Sequence, residues 1–92
     1  MTTRSVTVTN PLGLHARAAA RFVHLATRFT SQIKVARDSK VMDGKSIMGI
    51  LLLAAARGTT LIITADGPDE TNAVDSLIEL VASGFGDESW NA

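Results

Sequence analysis

Asn10-Pro11-Leu12-Gly13-Leu14-His15-Ala16-Arg17 is the point where an extended segment stops and a helix begins. Asn-Pro opens a turn, and Gly13 admits backbone angles that a residue with a Cβ resists, so the chain reverses abruptly here. Behind it, Ala19, Phe22, Val23, Ala26 and Phe29 recur at three- and four-residue spacing, which predicts a helix from Ala16 to Phe29 with one buried face. His15 then stands at the helix entrance. The first amides of a helix have no internal partner and the macrodipole adds partial positive charge, so an anion is favoured there and an imidazolium disfavoured. A neutral ring keeps a nitrogen lone pair that can attack phosphorus, while the backbone amides of Ala16 and Arg17 and the Arg17 guanidinium could hold phosphoryl oxygens. The stretch reads as a phosphate site.

Outward from it, the pattern predicts a strand over Ser5–Thr9, with Val6 and Val8 inward, and another over Gln32–Ala36 through Ile33 and Val35. Asp38-Ser39-Lys40 is a turn and Val41-Met42 a short returning strand. Ser46 is placed to cap a second helix, Ile47 to Leu53, with Gly58 ending the helical stretch. Leu61, Ile62 and Ile63 are consecutive apolar residues, which predicts the most buried strand over Leu61–Ala65. After the Asp66-Gly67-Pro68 turn, Asp69 is expected to cap a long helix with Glu70 in its first turn. Ala73, Val74, Leu77, Ile78 and Val81 form its inner face, Gly84 ends it, Phe85 closes the core, and Trp90-Asn91-Ala92 is expected to fray. The order is βαββαβα: four strands covered on one face by three helices, a two-layer open-faced α+β sandwich.

At 92 residues the chain fits one domain spanning 1–92. It has no cysteine, which excludes disulfides and thiolate metal sites and fits a reducing compartment. The N-terminus shows no apolar secretory core, and the run from Ile47 to Ala56 falls well short of the ~20 residues of a membrane span. A soluble cytoplasmic protein is expected, with no membrane insertion. Net charge is zero, yet every charged residue from Met1 to Arg37 is basic and every one from Asp66 onward acidic. A basic end around His15 in a neutral chain suits an acidic protein partner and not nucleic acid.

Gly-Leu-His-Ala-Arg opening an Ala-rich helix, followed by Gly44-Lys45-Ser46-Ile47-Met48-Gly49-Ile50-Leu51, resembles the HPr family of histidine phosphocarriers of the bacterial phosphotransferase system, over nearly the whole chain. The resemblance implies an antiparallel sheet. It implies that His15 takes a phosphoryl group on Nδ1 from phosphorylated enzyme I, which draws on phosphoenolpyruvate, and passes it to an enzyme IIA of the sugar or nitrogen branch. Arg17 matches the position that steadies the phosphoryl group. Family members usually carry proline after this arginine. Here the residue is Ala18, which keeps the helix and gives up some rigidity.

Taken alone, Gly44-Lys45-Ser46 suggests a nucleotide loop, but the required earlier glycine is Ser39. Ser46 is a helix cap in the plain case. In some family members the matching serine is phosphorylated by a dedicated HPr kinase/phosphorylase, and a phosphate there would repel an acidic partner. Arg21 and His24 continue the stripe of Arg17 and are expected to contact partners. Ile47, Met48, Leu51 and Leu52 exceed what a short helix buries, and by resemblance Ile47, Met48 and Leu51 dock donor and acceptor. Neither a metal site nor a cofactor is expected. The chain is expected to be a monomeric carrier and not a stand-alone enzyme. The alternative is a regulatory binding protein of the same fold acting through Ser46 and the apolar patch, whose known example lacks the histidine.

Overall fold

In the computed structural model, which describes residues 1–86, the order is β1 (Thr2–Thr7), α1 (Ala16–Ala26), β2 (Gln32–Arg37), β3 (Lys40–Asp43), α2 (Ile47–Leu52), β4 (Thr60–Asp66) and α3 (Glu70–Ala82). The strands form one antiparallel sheet in the order β1-β4-β2-β3. Helices cover one face. The expected frayed tail at Trp90 lies outside the described residues.

Alternation decides what each strand buries. Leu61, Ile63 and Ala65 of β4 and Ile33 and Val35 of β2 point under the helices and are buried. β4 is the most buried strand of the sheet, as its run of apolar residues predicts, although Ile62 within it is 43% exposed. The open face of the sandwich is the reason. From the helix side Phe22, Ile50, Leu77, Val81 and Phe85 fill the core. Phe85 closes it at 0% exposure.

Several boundaries move, each for a local reason. β1 begins at Thr2 because its first residues pair with Ala65 and Thr64, and Val8, past its end, still exchanges backbone bonds with Thr59 and Gly58 at 2.8 Å each. α1 stops at Ala26 and not Phe29. The Thr27 hydroxyl donates to the His24 carbonyl at 2.8 Å and the next amides reach back three residues, a tightened final turn. Lys45 Nζ donates to the Phe29 carbonyl at 2.7 Å and ties that turn to the approach of α2.

α2 ends at Leu52, well before Gly58, because Ala54 steps into the left-handed region at φ 50°. The Arg37 guanidinium replaces the missing helical donors, reaching the Leu53 and Ala54 carbonyls at 2.7 and 2.9 Å. Asp69 stands at the N-cap of α3, but its side chain makes no bond to the helix amides. Its carboxylate instead accepts from the Thr30 and Ser31 amides at 2.9 and 3.0 Å and from the Ser31 hydroxyl, bracing the α1–β2 connection. Part of the acidic C-terminal half is likewise paired within the chain, as in the surface Arg4–Asp75 ion pair at 2.8 Å.

Candidate functional site

The turn before α1 is built on hydrogen bonds that begin with Asn10. Its side-chain amide donates to the Gly13 carbonyl at 2.9 Å, and its own carbonyl accepts from the Gly13 amide at 3.1 Å. Gly13 has φ 64°, and a Cβ built on it would lie 2.5 Å from the Ala55 carbonyl oxygen. Leu14, itself buried, donates its amide to that same oxygen at 2.9 Å. The turn is thus clamped onto the α2–β4 connection, which fixes where the next residue begins a helix.

That residue is His15. It occupies the N-cap of α1 with extended backbone (φ −76°, ψ 174°), and its carbonyl accepts the first helical bond, from Ala19 at 2.9 Å. The ladder therefore starts at Ala19, and the amides of Ala16, Arg17 and Ala18 belong to the first turn, where helix geometry gives them no acceptor within the helix. The imidazole makes no capping bond to them. Ala18 and Ala19 are buried while His15 is half-buried and Ala16 and Arg17 are exposed. The backbone of the site is held by the core, and its side chains face outward. Ala18 has not disturbed the helix start.

Along α1 the same face carries Arg17, Arg21 and His24, and Arg28 follows just beyond its end. With Leu25 and Leu80 of α3 they line an open groove of about 440 Å³. His24 is exposed in the last turn, away from the helix entrance. On α2, Ser46 is the N-cap and its hydroxyl accepts from the Gly49 amide at 3.0 Å. Ile47 and Met48 are 45% and 69% exposed, whereas Leu51 is half-buried against the core. α2 packs on α1, so these apolar side chains belong to the helix neighbouring the His15 helix.

Among the exposed apolar residues outside the expected docking set, one stands on α2 and one in the turn before α1. Leu52 is 56% exposed, more open than Leu51, and Leu12 in the clamped turn is 69% exposed. The one-face requirement on a six-residue helix could have singled out Leu52. No periodic signal covers Leu12, whose exposure follows from a turn whose neighbours Gly13 and Leu14 are the ones pressed inward.

Residues 2–83 match a family model described as the PTS HPr component phosphorylation site. The chain belongs to the HPr family. It is 48% identical over 87 residues to the phosphocarrier protein HPr of Cupriavidus necator, covering 95% of this chain and 98% of that one. HPr of Pseudomonas putida is 47% identical over 86 residues, covering 92% and 96% of the two chains. Among solved structures, HPr of Thermoanaerobacter tengcongensis superposes with a TM-score of 0.90 at 43% identity, covering 94% of this chain and 97% of that one. This is a phosphocarrier of the HPr fold, and a purely regulatory role without phosphotransfer is not favoured.

Proposed function

We propose that His15 is the phosphoacceptor. Its Nδ1 lone pair attacks phosphorus while the bond from phosphorus to enzyme I breaks, and the reverse exchange delivers the group to an enzyme IIA. The observation that carries this is His15 at the N-cap of α1, half-exposed and making no capping bond, at the mouth of a helix whose first-turn amides lie outside its own ladder. The amides of Ala16 and Arg17 and the guanidinium of Arg17 stabilise the added oxygens. A carrier has to release what it takes, and a shallow, open site supports that better than a closed pocket would.

Arg21 and His24 on α1, with Ile47, Met48 and Leu51 on α2, receive the acidic donor and acceptor, the charged face steering approach and the apolar one holding contact. Residues 1–92 act as one unit, monomeric and cytoplasmic, consumed and regenerated at each transfer and not a catalyst in its own right. Ser46 is the regulatory position. A phosphate from an HPr kinase/phosphorylase would stand at the N-terminus of α2 and repel acidic partners.

Incubation with phosphoenolpyruvate and enzyme I should leave an acid-labile, alkali-stable phosphate that is lost in His15→Ala. Full labelling of His15→Ala would remove His15 from the role, and no labelling of the unaltered chain would point to the regulatory alternative.

A further inference from the structure

The clamp on the His15 turn has a support of its own. The Ala55 carbonyl accepts from the Leu14 amide at 2.9 Å, and that same oxygen is the first atom a Cβ on Gly13 would strike. Immediately before Ala55 the chain leaves α2 in a conformation that alanine disfavours. Ala54 has φ 50°, a left-handed angle more usually given to glycine at a helix end. The last carbonyls of a helix also lack donors from the helix itself. Arg37 meets both needs. Its Nη1 donates to the Leu53 and Ala54 carbonyls at 2.7 and 2.9 Å, bracketing the strained residue. The arginine is itself anchored, since it ends β2 and pairs with Lys40 of β3 across the hairpin. Its Nε lies 3.8 Å from the Asp38 carboxylate, which is 88% exposed and too weak a partner to redirect it.

We infer that Arg37 is a positioning residue for phosphoryl transfer. By holding the Leu53 and Ala54 carbonyls it fixes the direction of the Ala55 carbonyl, which in turn sets where Gly13 and Leu14 deliver His15 to the entrance of α1. The role rests on His15 as phosphoacceptor and places one of its supports on the sheet. A left-handed alanine persists only where its surroundings hold it. Without the guanidinium, two carbonyls lose their donor and Ala54 relaxes toward ordinary angles, which moves Ala55 and the turn clamped to it. A misplaced acceptor nitrogen slows the chemical step more than it weakens docking.

The test compares Arg37→Met in the unaltered chain and in an Ala54→Gly background, where glycine adopts the left-handed angle without strain, with circular dichroism verifying each fold. In Arg37→Met, kcat for transfer from phosphorylated enzyme I should fall by about tenfold with KM little changed. Amide hydrogen exchange, read without phosphate, should speed up at Leu14 and not at Ile63 in the middle of β4. Both effects should shrink in the Ala54→Gly background. Normal transfer by Arg37→Met would overturn the inference, as would a change in KM alone, which would make Arg37 a partner contact. Equal acceleration of exchange at Leu14 and Ile63 would reduce Arg37 to general stability, and losses of the same size in both backgrounds would show that its effect does not run through Ala54. If the unaltered chain took no phosphate on His15, the phosphoacceptor reading would fail instead, with the exchange result still standing.

Discussion

Gly13 is the residue on which the placement of His15 turns. Its φ of 64° disfavours any side chain, and the Ala55 carbonyl 2.5 Å from the position of a Cβ leaves no room for one. Gly13→Ala should therefore cost about 1–3 kcal/mol of stability, measured by denaturant unfolding, and slow phosphoryl transfer beyond what the lost stability explains. A variant as stable and active as the parent would show that the turn tolerates rearrangement. Arg17 is the opposite case. It is exposed, so Arg17→Ala should leave the unfolding midpoint nearly unchanged while slowing transfer. Unchanged transfer kinetics would remove Arg17 from the site.

At the scale of elements, the first turn of α2 holds an observed cap and a proposed switch on the same residue. Ser46 caps it through a 3.0 Å bond to the Gly49 amide, so Ser46→Ala should destabilise by about 1 kcal/mol. Ser46→Asp keeps an acceptor at the cap and adds the charge that acidic partners should avoid. It should retain stability yet raise the KM of transfer, and an unaltered KM would argue against Ser46 as a switch. The order of elements and the helix-entrance histidine were legible in the sequence because periodicity, turn residues and caps act locally. The end of α2 was not. It is set by Arg37, sixteen residues away from Leu53, whose guanidinium holds the Leu53 and Ala54 carbonyls. Asp69 misled for a similar reason, its carboxylate being taken by Thr30 and Ser31 across the fold and not by its own helix. The one-sided covering of the sheet likewise explains why Ile62 faces outward though both its neighbours are buried.

For the whole molecule, the α1–β2 connection and the start of α3 are joined through Asp69. The Ser31 hydroxyl, followed by the Thr30 amide, holds its carboxyl well down, at about 2. A carboxylate depressed in the folded state contributes stability that is present above its ordinary titration range and lost as pH falls through about 2. Asp69→Asn should accordingly lower stability at neutral pH and flatten its decline through acid, followed by thermal unfolding across that range. An identical acid profile in the variant would contradict the bracing role.

The most direct measurement of the central claim is the imidazole 15N spectrum of the uniformly labelled protein after phosphorylation by enzyme I and phosphoenolpyruvate. The expected result is a phosphorus-coupled Nδ1 on His15 with the His24 ring unmodified. Phosphate on His24, or on neither ring, would contradict it.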